Sequence, residues 1–163
     1  MASGIKEVGG IPLSGFKFEE DFMEDNIRCI PMMVRFKLDA AGIKLKLSEW
    51  SRLTLPERID LAELPTTTQG EVFKYRHHLQ HLILSRTGKE TTEQPIDKSP
   101  AWAMTDHIHE SLQEKLKEYN STLSLIKWQR LSDLQRFVLI KLSRPSHENR
   151  NFPKAMKEFN LVN

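Results

Sequence analysis

The chain has 163 residues, close to the roughly 150 of one domain, and carries 24 Lys and Arg against 22 Asp and Glu, a net charge of +2. Such a weak field argues against electrostatic capture of nucleic acid or a membrane surface, and a charged fraction of 28% is ordinary for a globular protein. One cysteine, Cys29, excludes an intramolecular disulfide and any multi-cysteine zinc or iron-sulfur site built by this chain alone.

Residues 1–15, with Gly4, Gly9, Gly10, Pro12 and Gly15, are expected to form a flexible lead-in to a single helical domain over 16–163. MASGIKEVGGIPLSGF lacks the basic-then-apolar order of a signal peptide, and no later run approaches the ~20 apolar residues of a membrane span. A soluble, cytoplasmic protein is expected. Phe16, Phe18 and Phe22 supply aromatic anchors. Pro31 suits a helix start, and Met33, Val34, Phe36, Leu38 and Ala41 give that helix an apolar surface up to a stop at Gly42. Ile43, Leu45 and Leu47 alternate with lysines as a short extended link. A short helix over Ser48–Leu53 comes next, then one over Leu55–Leu64 behind a capping box of Thr54 and Glu57.

Past a loop from Pro65 to Gly70, Glu71–Arg86 reads as a longer helix with Val72, Tyr75, Leu79, Leu82 and Ile83 on one face. The polar stretch 87–104 is expected to be a flexible linker. Ile108–Tyr119 is the next helix. Ser132 and Gln135 form a second capping box, so a helix starts near Asp133. Its residues Leu134, Phe137, Val138, Leu139, Ile140 and Leu142 cover most of the circumference, which predicts a helix buried on nearly every side. The turn SRPSHENRN leads to a short helix, Pro153–Phe159. Only the Lys44 and Thr122 regions suit short strands, so the fold class is all-α.

The chain also repeats. At an offset of 78 residues Leu45, Leu47, Trp50, Arg52, Leu53, Arg58, Leu61 and Leu64 fall on Leu123, Leu125, Trp128, Arg130, Leu131, Arg136, Leu139 and Leu142. Thr54 and Glu57 fall on Ser132 and Gln135, and Gly42 falls on Asn120, the other residue that readily takes the left-handed conformation at a helix end. This predicts two similar halves, 27–86 and 105–160, packed face to face.

Chemistry is sparse. His77 and His81, one helical turn apart, have the spacing of two zinc ligands but lack a signalled third; a solvated face explains them. His107 and His109, two apart, point in different directions. Cys29 lies beside Arg28 and Arg35, which favour a thiolate, but a cysteine in such apolar sequence is most often a small buried hydrophobe, and that is the reading expected here. No catalytic residue or metal site is expected, and no cofactor-binding residue is assigned. Arg144, Pro145, His147, Glu148, Asn149 and Arg150 form the densest polar turn. Its arginines suit carboxylate or phosphate recognition, or else cap the helix ends on either side. Trp50 and Trp128 are expected in the core. Basic residues do not interleave with aromatics as a single-strand nucleic-acid binder requires.

The runs IRCIPMMVRFKLDAAGIKLKLSEW (Ile27–Trp50), WQRLSDLQRFVLIKLSRPSHENRNF (Trp128–Phe152) and KEFNL (Lys157–Leu161) resemble the nitrate reductase-associated proteins, best represented in cyanobacteria. The departures are Thr66, where that family more often has cysteine, and Ser146, where it has glycine. The resemblance implies association with assimilatory nitrate reductase, a cytoplasmic molybdenum enzyme with a molybdopterin cofactor and an iron-sulfur centre. It assigns no catalytic residues.

A non-catalytic assembly or maturation factor, needing no cofactor of its own, is therefore expected. Its partner surface would comprise Arg144, His147, Glu148, Asn149 and Arg150, with Arg28 and Arg35 from the first half. A monomer is expected, with a dimer as the alternative, and neither nucleic acid nor membrane as partner. Two other classes compete: a small helical enzyme or ligand-binding protein acting on a molybdopterin precursor, and a nucleic-acid-binding regulator of nitrate assimilation genes.

Overall fold

The computed structural model of the protein describes residues 5–8, 11–14, 16–20, 27, 29–145 and 149–162. Phe22, an expected anchor, lies outside them. The described chain is mostly helical and divides into two compact units, Met1–Asp97 and Lys98–Asn163.

In the first unit, strands β1 (Ile5–Val8) and β2 (Ile11–Ser14) pair as an antiparallel hairpin within the expected lead-in. Helix α1 (Lys17–Glu20) follows, then α2 (Met32–Ala41). Pro31 stands at the α2 N-cap and has no side-chain acceptor to offer. Glu19, buried in α1, supplies it: its carboxylate accepts the Met32 N–H at 2.9 Å, which places a negative charge at the positive end of the helix. The helix ends as expected at Gly42, whose φ of 70° is left-handed.

The next two residues form β3 (Ile43–Lys44), followed by α3 (Leu47–Trp50), α4 (Leu55–Glu63), α5 (Gln69–Thr87) and β4 (Thr92–Glu93). The Lys44 region is thus a strand, but its partner is Thr92–Glu93 and not the Thr122 region. The reason is non-local. After α5 ends at the left-handed Gly88, the chain returns past the end of α2. There Gln94 donates its N–H to Gly42 O at 2.9 Å and its amide to Ile43 O at 3.0 Å. Arg76 joins the same knot by donating to Ala41 O at 2.6 Å and pairing with Glu93. Part of the expected linker is therefore held by backbone and side-chain hydrogen bonds.

The core of this unit lies between α2, α4 and α5, where Val34, Trp50, Leu61, Leu79 and Ile83 are fully buried. Two side chains lock the C-terminal end of α4, whose last carbonyls lack helical partners. Lys37 donates to Ala62 O at 2.6 Å and Leu64 O at 2.7 Å, and the Tyr75 hydroxyl donates to Leu61 O at 2.7 Å. Burial holds the Lys37 ammonium below the ordinary lysine pKa, a shift the nearby Glu63 charge opposes.

At the other end of α4 the Thr54–Glu57 box forms as expected. Glu57 also accepts from Arg86 at 2.8 and 3.0 Å, and the Arg86 hydrogen bonds, followed by those from Thr54, hold its carboxyl below the usual glutamate range. A depressed folded pKa stabilises above the unfolded value of about 4.3 and loses that contribution as pH falls through the folded one. Glu57→Gln is therefore expected to be less stable than wild type in neutral denaturant melts. The difference should shrink below about pH 4, because by then the unfolded-state glutamate is protonated. A gap that persisted in acid would assign the loss to the cap geometry alone.

The second unit contains a 3-10 turn (Ala101–Ala103), α6 (Glu110–Glu118), α7 (Leu125–Arg130), α8 (Asp133–Ser143), a second 3-10 turn (Asn149–Asn151) and α9 (Phe152–Glu158). Helix α8 starts at the expected Ser132–Gln135 box and is the hub of its unit, packed by α6, α9 and both turns. Phe137, Val138, Leu139, Ile140 and Leu142 are all buried, as a helix apolar on most sides requires. Asn120 takes a φ of 51° just beyond α6, the left-handed stop its position suggested. Among the described residues no helix is long and apolar enough to cross a membrane.

Candidate functional site

Each unit has a buried tryptophan held by a buried arginine. Trp50 donates its indole N–H to Ile27 O at 2.8 Å. Arg58 reaches back from α4 to the carbonyls of Trp50 at 3.2 Å and Ser51 at 3.1 Å, with its guanidinium 5.8 Å from the Trp50 ring centre. In the second unit Trp128 donates to Met104 O at 3.0 Å. Arg136 bonds Trp102 O at 2.8 Å and the carbonyls of Trp128, Gln129 and Leu131, pairs with Asp133, and lies 5.9 Å from the Trp128 ring centre. A short helix leaves its last carbonyls unbonded, and a guanidinium with five fixed donors satisfies several at once. Both tryptophans are fully buried. These clamps hold α3 and α7 in place, and neither offers a free group to a ligand.

Of the expected partner surface, Arg28, His147 and Glu148 lie outside the described residues. Arg35 is half-buried, and its Nε donates to Ile30 O at 3.1 Å. Arg144 and Arg150 are exposed at the two ends of the turn after α8, and Asn149 begins the 3-10 turn that contains Arg150. The Arg144 backbone N–H, at the C-cap of α8, contacts Lys141 O at 3.4 Å. Among the described residues neither arginine makes an ion pair.

The histidines separate by role. His109 caps α6, its Nδ1 accepting the Ser111 N–H at 3.1 Å. The Ser111 hydroxyl lies 2.9 Å from that nitrogen and 3.0 Å from the Ser143 hydroxyl. Because the Nδ1 lone pair is occupied by backbone, this is a helix cap and not a nucleophile with its base. His107 pairs with Asp106 at 2.8 Å, and that bond holds the Asp106 carboxyl below its ordinary range.

His77 and His81 line an open groove of about 760 Å³ with Gln80 and Leu84 of α5 and Glu90, Thr91 and Glu93 of the returning segment. Glu90 and Glu93 fall in the expected linker, and no local spacing signals their approach to α5. Among the described residues no group of three or more His, Cys, Asp or Glu is placed to hold a metal. Cys29 is half-buried.

The sequence profile of the conserved nitrate reductase-associated protein family matches residues 15–159. The chain belongs to that family. The match spans both units, so the clamps at Trp50 and Trp128 and the exposed turn at Arg144 all lie within the part that defines membership. No curated protein and no solved structure gives a significant match.

Proposed function

We propose that this family member is a non-catalytic accessory factor of assimilatory nitrate reductase. It acts in the cytoplasm as a monomer, by protein–protein contact, during assembly, maturation or molybdopterin insertion. The family match carries this reading. Two features support it. The buried polar groups described above are used in caps and clamps, and exposed cations remain at the turn after α8. There Arg144 and Arg150, with His147, Glu148 and Asn149, would meet acidic groups on the partner. Such contacts favour orientation and association rate over tight affinity.

The groove along α5 supports ligand binding as a second reading, with a molybdopterin precursor as the ligand. Its described lining residues include two glutamates and no Lys or Arg, which disfavours a phosphate-bearing molecule. The first reading is therefore the stronger.

A double variant, Arg144→Ala with Arg150→Ala, tests the turn. Both side chains are exposed, so the thermal midpoint is expected to stay within a degree or two of wild type, since surface changes seldom exceed about 0.5 kcal/mol. Nitrate reductase activity should fall in cells whose only copy is the variant. Full activity there would remove the turn from the partner surface.

We further propose that the units are two copies of one ancestral unit. The pairs α2 and α6, α3 and α7, and α4 and α8 follow in the same order. The left-handed stops at Gly42 and Asn120 and the two tryptophan–arginine clamps support the same relation. An experimental structure in which residues 27–64 fail to superpose on 105–142 would contradict it.

A further inference from the structure

Helix α7 is held rigidly while exposing nearly everything it carries. Of its six residues only Trp128 is buried; Leu125, Ile126, Lys127, Gln129 and Arg130 are all exposed, with Ile126 at 60%. Ser124 caps its start by accepting the Lys127 N–H at 3.2 Å, and Arg136 fixes its last carbonyls. The face is therefore presented without the ordering cost of a mobile segment.

Helix α3 provides an internal comparison, because it has the same buried tryptophan and arginine clamp. In the two positions before its tryptophan α3 carries Ser48 and Glu49, where α7 carries Ile126 and Lys127. The charged side chains in and just after α3 have local tasks: Glu49 accepts the Lys46 N–H at 2.9 Å, and Arg52, two residues after the tryptophan, donates to Arg86 O at 2.9 Å. At the matching positions of α7, Lys127 and Arg130 have no side-chain partner among the described residues. The same scaffold thus displays two cations beside two exposed aliphatic side chains. The surrounding unit adds to that sign, since residues 98–163 carry eleven Lys and Arg against seven Asp and Glu, a net of +4.

We infer that the exposed face of α7, built from Leu125, Ile126, Lys127 and Arg130, docks an acidic surface of nitrate reductase that carries an apolar side chain at its centre. The inference rests on the function proposed above and assigns it a second contact point. Apolar area gives such a contact its affinity, and complementary charge gives it orientation.

The test grafts the α3 residues onto α7. Ile126→Ser with Lys127→Glu changes only exposed positions, and the new carboxylate stands three residues after the Ser124 cap, where it completes a capping box, so the fold should hold. Binding of the full chain to purified apo-nitrate reductase is measured by titration at low and high salt. Wild type is expected to bind less tightly at high salt, and the double variant to bind at least tenfold more weakly than wild type with its thermal midpoint unchanged. Arg130→Glu, a second change on the same face, carries the same expectation. Equal binding by wild type and variants would overturn the assignment of α7 while leaving the accessory role intact. Absence of wild-type binding would overturn both. Self-association of the free protein that the double variant abolishes, with reductase binding unaffected, would give the face to a second copy and equally overturn the inference.

Discussion

Replacing Trp128 with alanine is expected to lower the stability of the second unit by about 3 to 5 kcal/mol, the range for removing a large aromatic from a packed core. The side chain is fully buried, and its N–H is bonded to Met104 O. Truncation opens a cavity at the foot of α7, removes the ring beneath the Arg136 guanidinium and leaves the part-buried Met104 carbonyl without its donor. Trp128→Phe separates these terms. Phenylalanine keeps most of the apolar volume but cannot donate, so it should cost about 1 kcal/mol, the net worth of a hydrogen bond whose carbonyl is only part-buried. Denaturant unfolding followed by circular dichroism reads both. An alanine variant within about 1 kcal/mol of wild type would show that α7 is not anchored through this residue.

The second large effect belongs to Arg136. Arg136→Met keeps much of the apolar stem and removes the donors that serve Trp102, Trp128, Gln129 and Leu131. Hydrogen bonds to a charged group are worth about 1.5 to 3 kcal/mol, and carbonyls stranded without donors add a penalty. A loss of about 3 kcal/mol is therefore expected. Arg136→Lys should recover only part of it, because an ammonium cannot span several carbonyls in the fixed plane of a guanidinium. Full recovery by lysine would mean that charge, and not the fork of donors, holds the end of α7. Arg58→Met is the matched experiment in the first unit, where the guanidinium serves Ile27, Trp50 and Ser51.

How far the sequence announces this structure depends on the range of each interaction. The Thr54–Glu57 and Ser132–Gln135 boxes span three residues, and the stops at Gly42 and Asn120 are single-residue preferences, so both are legible from composition and spacing. The burial of α8 is legible because its apolar residues cover most of its circumference. The Glu19 cap on Met32, the β3–β4 pairing and the Arg76 knot join residues from 13 to 52 positions apart. No local pattern encodes such distances. The same holds for the approach of Glu90 and Glu93 to His77 and His81, which only the reversal at Gly88 produces.

The exposure of the proposed contact residues differs from one to the next. Arg144 and Arg150 stand out as a dense polar turn and are exposed, whereas Arg35 has an intramolecular acceptor in Ile30. The face of α7 escapes a sequence reading because Leu125 and Ile126 look like core residues until Trp128 is seen to be the only side chain of that helix turned inward.

The most direct test of the accessory role is the molybdopterin content of nitrate reductase purified from nitrate-grown cells lacking this protein. The reductase polypeptide is expected to accumulate but to be poor in cofactor and activity, and wild-type protein supplied in the same cells should restore both. Reductase with full cofactor content and full activity in the absence of the protein would contradict that role.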